Sequence, residues 1–274
     1  ARIHSDRNTF NYFGFGNNSL RNEDDQRFNE VRMSRSIFDL GLQKRFLNNT
    51  TYLRLFPLFE WVDVQQTPDR FITAANNELP EDVFDAKFYV GGGVEFDANN
   101  IDNLTDPKQG FRFNTRLQWR SKTDGSGDNF SALRSSLTFY FPIDRNQNFV
   151  FATRVGGGVN FGNDYEFYHG QTIGGEVLRG YRNERFLGDR AFFHNNDLRL
   201  KIISSGNNPL LTSIGLHGGL DYGRVWLDNQ EENKWHLGYG GGFWLAPVDL
   251  AIISFGYYTS SDDERFIVKI GHSF

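Results

Sequence analysis

Along residues 265–274, Phe266, Val268, Ile270, His272 and Phe274 alternate with Arg265, Ile267, Lys269, Gly271 and Ser273. Strand side chains point to opposite faces with period two, so this pattern predicts a strand with an aromatic and aliphatic stripe on one side and a mostly polar or small side opposite. The pattern recurs at residues 111–119, where Phe111, Phe113, Thr115, Leu117 and Trp119 alternate with Arg112, Asn114, Arg116 and Gln118, and Arg120 follows. Three arginines on one face cannot form a dry core. They suit a water-filled lumen, with the apolar face turned to lipid. Further strands are expected near residues 9–16, 28–46, 52–63, 84–97, 130–141, 148–160, 191–203, 211–226, 235–246, 249–259 and 265–274, about twelve in all with essentially no helix. The expected fold is all-β, an antiparallel transmembrane β-barrel. Phe113, Leu117, Trp119, Leu216, Tyr222, Ile270 and Phe274 should face outward, and Arg112, Arg116 and Asp221 inward.

Connection lengths add topology. Short turns are read at 246–249, 204–209, 142–147 and 47–51, interleaved with longer or more polar loops at 16–27, 65–83, 121–129, 162–190 and 227–234 and a small one at 260–264. Short turns on one side and long loops on the other, with both termini on the short-turn side, is the pattern of outer-membrane barrels. The stretch 97–110 breaks it, being long but on the short side.

Composition narrows the class. The chain has 274 residues, 28 Phe, 29 Gly, no Cys and a formal charge of -5, with a mean hydropathy of -0.54. No apolar run reaches the length of a membrane helix, whereas a barrel needs only alternate apolar residues and stays hydrophilic on average. The absence of Cys excludes disulfides and thiolate metal sites. The mild acidity speaks against nucleic-acid binding. The six histidines lack metal-ligand spacing, and the acidic stretch 97–106 lacks the Gly and Glu of a calcium loop. Gly14-Phe15-Gly16 has neither a third glycine nor a following helix, and Asp124-Gly125-Ser126-Gly127-Asp128 is a turn composition. No enzyme, cofactor or metal chemistry is expected.

Glycine clusters recur within strands, at Val90-Gly91-Gly92-Gly93-Val94, Val155-Gly156-Gly157-Gly158-Val159 and Tyr239-Gly240-Gly241-Gly242-Phe243, and more loosely at His217-Gly218-Gly219-Leu220. They mark sites of barrel curvature, or room for a plug in the lumen; both readings stand. The longest connection, 162–190, contains Gly174-Gly175-Glu176-Val177-Leu178-Arg179-Gly180-Tyr181, too apolar for a free surface loop. A loop of this length in a compact protein points to function.

Here the sequence resembles the BamA-type (bacterial surface antigen) superfamily of outer-membrane barrels, which includes protein insertases and two-partner secretion transporters. Its hallmark is a loop folded into the lumen with a Val-Arg-Gly-Phe/Tyr tip, here Leu178-Arg179-Gly180-Tyr181, with Leu in place of Val. Five strands follow the loop, as in the family. Asn196-Asp197-Leu198-Arg199 looks like its acidic strand after the loop, and Asp221-Tyr222-Gly223-Arg224-Val225-Trp226 like its Asp-x-Gly strand. Phe96-Asp97 with Pro107-Lys108-Gln109-Gly110 looks like its Asp and Pro-x-x-Gly turn, which accounts for the long connection. Lys269-Ile270-Gly271-His272-Ser273-Phe274 looks like its terminal assembly signal, to which Phe266 and Val268 also belong. By alternation Asp221 shares the inner face with Ser213, Gly215, His217, Gly219 and Gly223, and Asp197 shares it with Asn195, Arg199 and Lys201. The resemblance implies that Arg179 pairs with Asp221, and with Asp197 as a second partner. Lumen water should soften the loss of either.

The family barrel has about sixteen strands, so the start at Ala1, with no apolar leader, is read as a barrel domain (1–274) lacking its first strands and any periplasmic domain, with a small closed barrel as the alternative. The resemblance implies a bacterial outer-membrane location, polypeptide insertion or translocation gated by the 162–190 loop, and outer-membrane lipid, a polypeptide substrate and the outer-membrane assembly machinery as partners. Two alternatives are a membrane anchor or export barrel for an upstream hydrolase domain, and a passive porin.

Overall fold

A computed structural model describes residues 2–19, 25, 27–47, 50–74, 79–162, 164–204, 213–228, 233–247, 251–272 and 274. The strands are β1 (Arg2–Asn11), β2 (Glu30–Asp39), β3 (Leu42–Phe46), β4 (Thr51–Val64), β5 (Lys87–Ile101), β6 (Gly110–Lys122), β7 (Asn129–Pro142), β8 (Phe149–Phe161), β9 (Gln171–Ile173), β10 (Phe186–Gly188), β11 (Arg190–Ser204), β12 (Ser213–Trp226), β13 (His236–Ala246), β14 (Ile253–Ser260) and β15 (Glu264–Ile270). One antiparallel meander runs β1-β2-β4-β5-β6-β7-β8-β11-β12-β13-β14-β15, with β3 beside β4; β9 and β10 form a separate hairpin.

Residues 28–46, read as one strand, divide into β2 and β3 without a change of register. Asp39 pairs with Leu58 and, three residues on along both strands, Leu42 pairs with Leu55. The gap therefore lies opposite Pro57, which has no N–H to give the ladder. The first strand differs more. It spans 2–11 rather than 9–16, because Tyr12 and Phe13 leave the sheet and bury in the interior, between Asn11 and the positive-φ Gly14 and Gly16.

The two faces sort as the alternation demands. Leu117, Trp119, Leu216, Phe266, Val268 and Ile270 are exposed on the convex face, and Phe113 and Tyr222 are half-buried on it. Inside, Arg116 reaches Asp39 at 3.5 Å and Arg112 reaches the buried Asp97 at 3.7 Å. Phe274 is the exception to the predicted outward set. Gly271, at a φ of 103°, turns the chain off β15, and the Phe274 ring enters the interior beside Arg154.

β1 and β15 end the strand order, and among the described residues they do not pair with each other. Both nevertheless reach the same loop. Asn11 at the end of β1 donates to Glu184 at 3.2 Å, and Arg265 on β15 donates to the Tyr181 carbonyl at 3.1 Å. A sheet whose two edges touch one short segment is curled round on itself. Loop 162–190 lies inside the curl.

Candidate functional site

The loop leaves β8, makes a 3-10 turn at Phe167–His169, and forms the β9–β10 hairpin before joining β11. It is therefore a folded element, not an irregular excursion. At its base, Phe167, Tyr168 and Leu187 pack with Tyr12, Val31, Met33, Val62, Val64, Ile72 and Val83 in an apolar core. At its far end, Leu178, Tyr181, Ile173 and Phe186 pack with Ala191 and Val225. Burying these side chains stabilises the docked loop by about 1.5–3 kcal/mol for each large one.

Between the apolar contacts the loop is held by ion pairs. Arg179 Nε and Nη2 donate to the two oxygens of Asp221, each at 2.6 Å, in a bidentate fork. Its backbone N–H adds a third bond to Asp221 at 2.9 Å. Nη1 donates to Asp197 at 2.6 Å and to the Tyr258 hydroxyl at 2.8 Å, and the guanidinium lies 4.4 Å from the Tyr258 ring centroid. Burial disfavours the guanidinium's charge, but Asp197 and Asp221 outweigh it and raise the Arg179 pKa. The planar fork is what makes Arg the fitting cation here, since Lys offers a single point charge.

The expected softening by lumen water does not hold at this level. Arg179, Asp197 and Asp221 are 3%, 1% and 0% exposed.

Of the residues singled out from the sequence, the structure brings together Arg179, Asp221 and Asp197. Leu178 and Tyr181 are buried beside them, and Gly180 takes a φ of 92° against β14. Phe266, Val268 and Ile270 lie apart on the outer face. The glycines leave room for neighbouring backbone and for the loop. A Cβ on Gly91 or Gly242 would run into the backbone of a neighbouring strand, whereas one on Gly158 would strike Gln171 of the loop, and one on Gly219 the Arg179–Asp197 pair. On Gly238 a Cβ would overlap the Arg179 carbonyl oxygen. Gly238→Ala is therefore expected to displace the tip while sparing the sheet: limited proteolysis should cut within 174–185 at least about tenfold faster, for a loss near 1.4 kcal/mol in docking. Unchanged cleavage would mean that the tip does not approach β13 this closely.

Sequence reasoning missed a second anchor. Glu60 on β4, fully buried, accepts from Arg35 at 2.7 Å and from Arg120 at 2.6 Å, and lies 3.1 Å from His169 of the loop. Lys87 pairs with Glu166 one turn earlier. The alternation of β4 does place Glu60 inward, between Leu58 and Val62, but nothing local names its partners. Tyr258 was likewise unremarked. Among the described residues no group of His, Asp and Glu could hold a metal ion.

A family model described as the Omp85 superfamily domain matches residues 2–274. Among solved structures, the chain is similar to the crystal structure of BamA from Haemophilus ducreyi lacking POTRA domains 1-3, with a TM-score of 0.65 and 12% identity, over 91% of this chain and 56% of that one. The chain thus spans little more than half the length of that relative. A comparison with curated protein sequences gives no match.

Proposed function

The chain belongs to the Omp85 superfamily, and from that premise we propose that it is a bacterial outer-membrane barrel that inserts or translocates polypeptide through a lumen gated by the 162–190 loop. On this reading residues 1–274 form a single barrel domain, and the Leu178-Arg179-Gly180-Tyr181 tip is the latch of the gate. The observation that carries it is the anchoring of one loop arginine by carboxylates of two adjacent strands, β11 and β12, inside the curl. Such a latch closes the path while docked and clears it when the tip lifts, a two-state element of the kind gating requires. The exposed apolar stripe of the outer face would sit in outer-membrane lipid. Phe266, Val268 and Ile270, with Phe274, would form the segment that the outer-membrane assembly machinery reads.

Planar-bilayer recording of the purified chain tests the reading. The wild type should be closed for most of the record, and Arg179→Ala should show frequent large openings. Steady large channels in the wild type would instead make it a passive porin. A barrel that stays closed in the variant as well would remove the loop as the gate.

A further inference from the structure

The convex face is recessed where β7, β8 and β11 run side by side. Ser135 and Gly157 pair across β7 and β8, a small rung between two larger ones. Leu133 and Val159 form the rung nearer loop 162–190, and Leu133 pairs in turn with the exposed Leu117, which puts this surface on the outer face. Leu137 and Val155 form the rung on the other side, and Phe192 of β11 closes the end opposite Gly157. The recess has a volume of about 410 Å³, within the range of small-molecule sites. No side chain can take the place of Gly157, because a Cβ there would strike the Ala191 carbonyl oxygen. The Ser135 hydroxyl on the floor is bonded to that of Thr115 at 2.6 Å. With that hydroxyl paired and its walls aliphatic or aromatic, the recess suits a hydrocarbon chain, whose dispersion contacts an empty hollow would forfeit.

The mouth of the recess is charged. Arg190, opposite Val159 across β8 and β11, lines it at the loop end. It forms an ion pair with Asp228, and the two side chains remain 55% and 46% exposed, so a cation and an anion are presented together. Aromatic rings gather at the same level. Trp226 pairs with Arg190 across β11 and β12, and Trp235 lies 6.3 Å from Trp226 and 5.9 Å from Phe192, centroid to centroid. The Arg224 guanidinium lies 4.5 Å from the Trp226 ring. Tryptophans cluster where a barrel wall passes from hydrocarbon to headgroups. The charged mouth therefore stands at headgroup depth and the apolar recess at acyl depth.

We propose that this recess binds one membrane lipid whose headgroup joins a phosphate to an ammonium, a proposal that rests on the outer-membrane reading of the convex face. An acyl chain fills the recess, the phosphate accepts from Arg190 and the ammonium donates to Asp228. Charge complementarity selects this headgroup. The planar guanidinium suits phosphate oxygens, whereas a headgroup with a phosphate alone would set its charge beside Asp228 with nothing to offset it. The lipid would lie against β8 and β11, the two strands that loop 162–190 joins, and so brace the base of the loop from outside.

The test uses the full chain in uncharged detergent micelles and needs no transport. The micelles are doped at equal mole fraction with phosphatidylethanolamine, phosphatidylglycerol or diacylglycerol, each carrying a diazirine in one acyl chain, and photolabelled peptides are mapped by mass spectrometry. Phosphatidylethanolamine should label β7, β8 and Phe192 about fivefold more than diacylglycerol does, the ratio that one basic side chain supplies near a membrane surface. It should also label them well above the outer face of β14 and β15, the internal standard. Asp228→Asn should erase its advantage over phosphatidylglycerol, and Arg190→Gln should bring both phospholipids down to diacylglycerol. Ser135→Phe, which fills the recess, should lower labelling there by all three probes and leave β14 and β15 unchanged. Equal labelling of the recess and of β14 and β15 by phosphatidylethanolamine would make its occupant ordinary boundary lipid and overturn the proposal, with the lipid-facing wall intact. No labelling of either region by any probe would refute the lipid-facing wall and the proposal with it. Recess labelling that emerges only on dilution of the chain would put a second copy there and overturn it. Should Ser135→Phe fail to fold, the exposed Arg190 and Asp228 decide: variants of both that label as the wild type does would overturn the proposal.

Discussion

Arg179→Ala should undock the loop and cost about 3–5 kcal/mol, because it leaves buried carboxylates without their counter-charge. The upper part of that range is expected. Asp221 loses both arms of a bidentate fork, Asp197 loses a 2.6 Å bond, and all three side chains are shielded from solvent. Thermal unfolding followed by the gel-mobility shift of the folded barrel would read the loss, and a change of under about 1 kcal/mol would place the pair in the class of surface bridges. Arg179→Lys should recover only part of it, since an ammonium cannot fork. The exchange of Arg179→Asp with Asp221→Arg should also rescue incompletely. Asp221 accepts from the Arg179 backbone N–H as well, and an arginine at 221 cannot accept that bond. Zero coupling in this double-mutant cycle would mean that the two residues do not meet.

Glu60→Ala should be nearly as severe, again about 3–5 kcal/mol, since Arg120, itself buried, would lose its carboxylate and Arg35 and His169 theirs. Glu60→Gln should cost less, because it keeps an acceptor for one of them. The pair of Arg112 with Asp97 supplies the contrast: Arg112 is 56% exposed at its side chain and the buried Asp97 keeps a bond from Asn114 at 3.1 Å, so truncating Arg112 should change stability by about 1 kcal/mol or less. Glu60→Ala and Arg179→Ala act on the same loop from opposite ends, so their effects should add to less than their sum. Full additivity, measured by the same unfolding assay, would show that the two anchors hold separate units.

The alternation at residues 111–119 was enough to place Leu117 and Trp119 outward and Arg116 inward, because side-chain direction in a strand is a local property of the backbone. By the same rule Asp221 and Asp197 were assigned to the interior, and the apolar glycine-rich stretch 174–181 identified the loop that had to be buried. Strand ends were less legible where tertiary packing competes with the sheet, as when Tyr12 and Phe13 leave it for the apolar core at the base of the loop.

What meets what across the interior was not in the pattern at all. His169 and Glu60 stand 109 positions apart in the chain, and Tyr258 joins Arg179 across 79; such contacts follow from how far the sheet curls, to which a period of two is blind. Phe274 makes the division plainest. Its place in the alternation put it outside with Phe266, Val268 and Ile270, which hold the outer face while the strand lasts. Gly271 then takes a φ of 103°, the alternation ends with the extended backbone that produces it, and the cationic interior, assembled from β8, β11 and the loop tip, receives the ring. The sequence by itself determined which residues a strand would turn to each side and which segment could not remain outside. Only the tertiary structure decided which charges share a carboxylate and where the chain leaves its strand, because those depend on distances between segments that local sequence does not encode.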